Sequence, residues 1–201
     1  MRHHIVLASN NAGKVREFNQ LLQGHKLEVL PQSEFSVTEI EETGLTFVEN
    51  ALLKARNAAA HTGLPAIADD SGLEVDALHG APGIYSARYA GSGASDRQNL
   101  EKLLQDIEGL PDAQRTARFQ CLMVYLRHAE DPTPKIFQGT WEGRILHAPQ
   151  GDNGFGYDPV FYVPDQQCSS AQLAPAVKNS LSHRGQALRR LITALLQENP
   201  D

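Results

Sequence analysis

The stretch Leu64–Gly91, LPAIADDSGLEVDALHGAPGIYSARYAG, sets an apolar run, Ala66-Ile67-Ala68, directly before two adjacent carboxylates, Asp69 and Asp70. The run reads as a short buried strand that stops at the acidic pair and passes at once into Ser71-Gly72. Carboxylates at the end of a buried strand suit Mg²⁺, which takes a few carboxylate oxygens, several waters and substrate phosphates. Taken alone, the pair fits a solvated acidic turn equally well, because Asp and Gly are ordinary turn residues. Gly80-Ala-Pro-Gly83 then reads as a stiff turn that holds Tyr85, Ser86 and Arg88 in fixed positions.

Outward from this stretch, helices and strands alternate. Ile5 to Ala8 reads as a buried strand, followed by a helix with Val15, Phe18 and Leu22 on one face. Thr46-x-x-Glu49 is a capping box that opens a helix carrying Val48, Leu52, Ala55 and Ala59, ended by Gly63 and Pro65. Ser95-x-x-Gln98 repeats the signature ahead of Leu100, Leu103, Leu104 and Ile107. Ala117–Leu126 and Lys135–His147 are strand-like, and the turn cluster Asp131-Pro-Thr-Pro134 between them predicts a long hairpin. Ser182 is placed to cap a last helix carrying Leu188, Leu191, Ile192 and Leu195. The pattern predicts a mixed α/β chain. With 201 residues it forms one domain, 1–201, or one with two lobes.

The bulk properties narrow the function classes. A formal net charge of −6 argues against a protein that grips nucleic-acid backbones, which needs a basic face. An anionic small substrate then requires a locally basic pocket. Two cysteines, Cys121 and Cys168, form no C-x-x-C, so neither a zinc site nor a disulfide framework is indicated. His3-His4 beside a strand start reads as an inert pair. The apolar run in the first residues is too short for a signal peptide and no segment is long enough to span a membrane, so a cytoplasmic setting is expected.

Three further segments carry chemistry. Ser9-Asn10-Asn11-Ala12-Gly13-Lys14 lies between a strand and a helix, where backbone N–H groups, the helix N-terminus and Lys14 favour an anion. It is not a Walker A loop, and an ordinary strand-to-helix turn fits it too. Gly151-Asp-Asn-Gly-Phe-Gly-Tyr-Asp-Pro159 presents Phe155 and Tyr157 for stacking on a base and Asp158 as an acceptor for a ring N–H. A glycine-rich loop whose aromatics pack on the core is the other reading. In Lys178–Arg184, KNSLSHR, a helix capped at Ser182 has His183 and Arg184 in its first turn, aimed at an oxygen acceptor or merely solvated. Glu41-Glu42 matters only if the fold brings Glu41 next to Asp70.

Together these segments resemble the inosine triphosphate pyrophosphatase family. The resemblance runs over essentially the whole chain through six motifs in order: Ser9-x-Asn-x-x-Lys14, Glu41-Glu-Thr-Gly44, Ala68-Asp-Asp-Ser-Gly72, Gly80-Ala-Pro-Gly-Ile-Tyr-Ser-Ala-Arg88, Gly154-Phe-Gly-Tyr-Asp-Pro159 and Ser182-His-Arg-Gly185. It implies an α/β fold with an elongated mixed central sheet between two lobes, flanked by helices, and a homodimer. It implies Mg²⁺-dependent cleavage of ITP, dITP and XTP to the monophosphate and pyrophosphate. On the family's pattern Ser9, Asn10, Asn11, Ala12, Gly13 and Lys14 hold the triphosphate, while Glu41 and Asp70 hold the metal. Asp70 is also the general base, and Ser71 contacts substrate. Phe155, Gly156, Tyr157, Asp158, Lys178, His183 and Arg184 surround the base. Asn10 stands where many members have glycine, and asparagine is the next most tolerant residue where φ is positive. A nucleotide-binding sensor without turnover and a phosphatase releasing inorganic phosphate are the rival readings.

Overall fold

The computed structural model describes residues 3–10 and 12–198, with the side chains of Ala12, Gly13, Glu17 and Glu198 left aside. Among the described residues seven strands form one mixed sheet: β1 (His3–Leu7), β2 (Leu27–Pro31), β3 (Ala66–Val75), β4 (Thr116–Leu126), β5 (Lys135–Ile145), β6 (Phe161–Val163) and β7 (Cys168–Ser169). Their order is β2-β1-β3-β4-β5-β6-β7. β1 runs parallel to both β2 and β3, with Val6 opposite Ala66 and Leu7 opposite Ile67. β6 is antiparallel to β5 and to β7. Among the described residues five α-helices accompany the sheet: α1 (Ala12–Leu21), α2 (Phe47–Thr62), α3 (Asp96–Asp106), α4 (Pro175–Leu181) and α5 (His183–Glu198). The fold is mixed α/β, as the alternating pattern predicts.

The chain divides into two compact units, each assembled from separated segments. The first takes Met1–Asp70, Leu122–Gln138 and Ala187–Asp201; the second takes Ser71–Cys121 and Gly139–Gln186. In the first, the alanine stripe of α2, Ala51, Ala55, Ala58 and Ala59, packs on Val6, Ala8, Ala66, Ala68, Val124 and Leu126. Methyl-sized side chains let the helix lie close against the strands, and burying this apolar surface drives the packing at roughly 25 cal/mol per Å². Thr46 caps α2 by accepting from Glu49 N, and Gly63 closes it with φ +68°, a conformation that suits glycine. In the second unit, Leu73, Val75, Leu100, Leu103, Ile107, Phe119, Trp141 and Phe161 form the core. Ser95 and Gln98 make the capping box of α3 reciprocally. Ser182 Oγ accepts from Gly185 N at 3.1 Å and so opens α5.

One boundary departs from the sequence reading. β3 does not stop at Asp69-Asp70; it continues through Ser71-Gly72 to Val75, with Leu73 and Val75 fully buried. Aspartate and glycine are poor strand formers in isolation. Here long-range lysine partners, described below, compensate the buried carboxylates. β2, β6, β7 and α4 carry no strong local signal.

Candidate active site

In the first unit the side chains gather around Asp69 and Asp70. Both are buried at 6% and 9% exposure, so each carboxylate requires compensation. Lys14, in the first turn of α1, donates to Asp69 Oδ1 at 2.6 Å. Lys54, on α2, donates to Asp70 Oδ1 at 2.9 Å and lies 2.7 Å from Glu42 Oε1. Burial pushes the Asp70 carboxyl above its usual range, Lys54 pulls it back, and the charges of Glu42 and Asp69 add to the rise. Burial alone would lower the Lys54 ammonium, but Asp70 and Glu42 together hold it above its ordinary value.

Glu42 is linked to Asp70 through Lys54, whose ammonium lies 2.7 Å from Glu42 Oε1 and 2.9 Å from Asp70 Oδ1. Glu41 is exposed, whereas Glu42 is half-buried against Lys54. Asn50 Oδ1 accepts from Gly44 N at 2.8 Å and fixes the loop behind Glu42. A Cβ on Gly44 would come within 2.7 Å of that same oxygen, which accounts for glycine there.

The anion loop enters α1 from the end of β1. Ser9 is half-buried, and its N–H donates to Leu7 O at 2.7 Å. Asn10 is exposed and donates to Glu39 Oε1 at 3.0 Å. Asn11 lies outside the described residues, and Ala12 and Gly13 are placed as the first two residues of α1.

In the second unit Asp158 organises the glycine loop. Its carboxylate is 3% exposed and both oxygens are taken by protein donors. Oδ1 accepts from Ser170 Oγ at 2.8 Å, and Oδ2 accepts from Phe155 N at 2.8 Å and from Lys178 Nζ. Gly154 has φ +82°, and a Cβ there would meet Asp158 Oδ2 at 2.1 Å, so only glycine fits beside the carboxylate. Phe155 is left 63% exposed, with Lys178 Nζ 5.1 Å and the Arg184 guanidinium 5.9 Å from its ring centroid. Such a ring is open for stacking. Tyr157 points the other way: it is buried, and its hydroxyl donates to Ser86 O at 2.8 Å. His183 is also buried, stacked 4.8 Å from Phe119. Arg184 Nη2 lies 3.5 Å from Ser71 Oγ.

The family model of the Ham1 family matches residues 5–194. The chain belongs to the Ham1 family. It is 64% identical over 191 residues to the dITP/XTP pyrophosphatase of Vibrio parahaemolyticus, covering 95% of this chain and 96% of that one. A HAM1 protein from Coxiella burnetii superposes with a TM-score of 0.94 at 52% identity, over 97% of this chain and 99% of that one. The nucleoside-triphosphatase / dITP/XTP pyrophosphatase of Mycobacterium abscessus superposes with a TM-score of 0.79 at 39% identity, over 94% and 98% of the two chains.

Against this Ham1 background, sequence reading missed Lys54, Ser170 and the role of Asp69. Lys54 follows Asn50 by four residues on α2, so the two share a face. That periodicity was available, but an amphipathic helix carries many lysines, and nothing local marks this one as the partner of residue 70.

Proposed function

We propose that this chain hydrolyses noncanonical purine nucleoside triphosphates (dITP, ITP and XTP) to the monophosphate and pyrophosphate with Mg²⁺ as cofactor. The observation that carries the reading is the buried carboxylate of Asp70, flanked by Glu42 and Lys54 and followed in the chain by Ser71. The near-full-length likeness to dITP/XTP pyrophosphatases supports the substrate class.

The donor set fits the metal. Glu42 Oε1 and Asp70 Oδ1 both approach the single Lys54 ammonium, so the two oxygens already converge on one cation. Hard carboxylate oxygens suit Mg²⁺, and two protein ligands leave room for waters and phosphate oxygens. Among the described residues no group of three or more His, Cys, Asp or Glu side chains forms a metal cluster. Bound by Glu42 and Asp70, Mg²⁺ would neutralise triphosphate charge.

The chain's own residues supply the rest. Asp70, with its raised pKa, accepts a proton from the attacking water. Ser9 to Lys14 receives the triphosphate, with backbone N–H groups and the Lys14 ammonium countering its charge. Phe155 stacks on the purine, and Lys178 and Arg184 beside it face the base. Asp158 holds the loop from behind through Phe155 N, Lys178 and Ser170. Arg184 as a donor toward the purine 6-position favours an oxo group, and an amino group there leaves donor against donor. Turnover of dATP comparable with that of dITP would contradict this selection. A cytoplasmic homodimer is part of the proposal.

Asp70→Asn tests the assignment of the base. The variant is expected to fold and to lose about 10²–10⁴-fold in kcat. A folded variant with near-parent kcat would overturn the role of Asp70.

A further inference from the structure

The structure assigns Asp96, at the start of α3, as the positioning residue that sets the height of the Phe155 loop against the purine. This rests on the reading that Phe155 stacks on the base. The loop is exposed from Gly151 to Phe155 and is held inward by Asp158. Beside Phe155, Gly156 N donates to Asp96 Oδ2 at 2.8 Å, across sixty positions of sequence, while Asn153 N donates to Ala171 O at 3.1 Å further back in the loop. Gly156 is the residue next to the stacking ring, and it sits at φ +59°, a conformation glycine adopts without the strain a side chain would bring. A charge-assisted bond to that N–H therefore governs where the Phe155 ring sits.

The anchor is itself rigid. Asp96 is the first residue of α3, directly behind the reciprocal Ser95–Gln98 capping box. One turn on, the buried Asn99 accepts from Ala90 N at 2.8 Å and donates to Ala87 O at 3.1 Å. The turn that Asn99 braces also holds Ser86, whose carbonyl accepts from Tyr157 OH and whose Oγ accepts from Leu73 N at 2.9 Å. The first turn of α3, the Gly83–Arg88 turn, β3 and the base loop thus form one hydrogen-bonded frame. Asp96 is the member that touches the loop beside Phe155, and small displacements of such supports weaken binding.

The test is steady-state kinetics of Asp96→Ala, Asp96→Asn and Phe155→Ala with dITP, with thermal unfolding recorded for each. Asp96→Ala is expected to raise KM for dITP by about tenfold with kcat within twofold of the parent. Asp96→Asn keeps a carbonyl acceptor but loses the charge, and is expected to restore most of the KM. A role confined to the helix dipole predicts instead that Asn behaves as Ala. If Asp96→Ala does not fold, Asp96→Pro carries the test. Proline is favoured at the first helical position, and Ser95, at ψ 160°, already has the extended backbone that precedes it. An unchanged KM in the acceptor-free variant, with a raised KM in Phe155→Ala, overturns the role of Asp96 alone. An unchanged KM in both overturns the base-loop reading and the inference with it.

Discussion

Lys54 Nζ donates to Asp70 Oδ1 at 2.9 Å, and the same ammonium lies 2.7 Å from Glu42 Oε1. A half-buried cation between two carboxylates does two things. It makes their burial tolerable, and it limits the rise in the Asp70 pKa that burial causes. Lys54→Met keeps much of the aliphatic stem and removes the charge. The variant is expected to lose about 10²-fold in kcat/KM for dITP and to melt at a lower temperature. A value within threefold of the parent would show that Lys54 only supports the fold.

The adjacent acids Glu41 and Glu42 separate cleanly by side-chain exposure. Glu42→Gln is expected to raise the Mg²⁺ concentration needed for half-maximal turnover by tenfold or more, as loss of one of two carboxylate ligands should. Glu41→Gln, altering an exposed side chain, should titrate like the parent. The opposite ranking in a magnesium titration would return the ligand to Glu41.

Much of this architecture was legible because it is local. The capping residues Thr46, Ser95 and Ser182, the Ala55 and Ala59 positions of the α2 stripe and the turn at Asp131-Pro-Thr-Pro134 each depend on neighbours within a few positions. The site is less so. Asp70, Lys14 and the glycine loop stand out by residue type and spacing, yet their partners are set by tertiary contact. Lys14 meets Asp69, and Lys54 meets Asp70. Asp158 turns inward to Lys178 and Ser170, where an open loop reading offers it to the base. The continuation of β3 through Asp-Asp-Ser-Gly has the same origin. Its local propensity is poor, and the strand persists because distant lysines and a core on both flanks of the motif compensate it.

Asp131 gives the clearest dependence of stability on pH. Its buried carboxylate accepts from Arg127 N, Arg127 Nε and Nη2, and Thr133 N, tying the turn between β4 and β5. The Arg127 side chain first, and then these backbone donors, hold the carboxyl far below the usual carboxylate range. A depressed folded-state pKa contributes stability that is fully present above the unfolded value, about 3.9, and is lost as pH falls toward the folded value. Asp131→Asn is therefore expected to melt several degrees lower near neutral pH, with the gap from the parent closing below about pH 4. A constant gap from pH 7 to pH 3, followed by circular dichroism, would contradict the assignment.

The central claim is tested most directly by product analysis of dITP and dATP incubated separately with the purified protein, with Mg²⁺ present or chelated. The account predicts metal-dependent formation of dIMP and pyrophosphate from dITP, with dATP nearly untouched. Release of inorganic phosphate in place of pyrophosphate, or binding of dITP with no turnover, would contradict it.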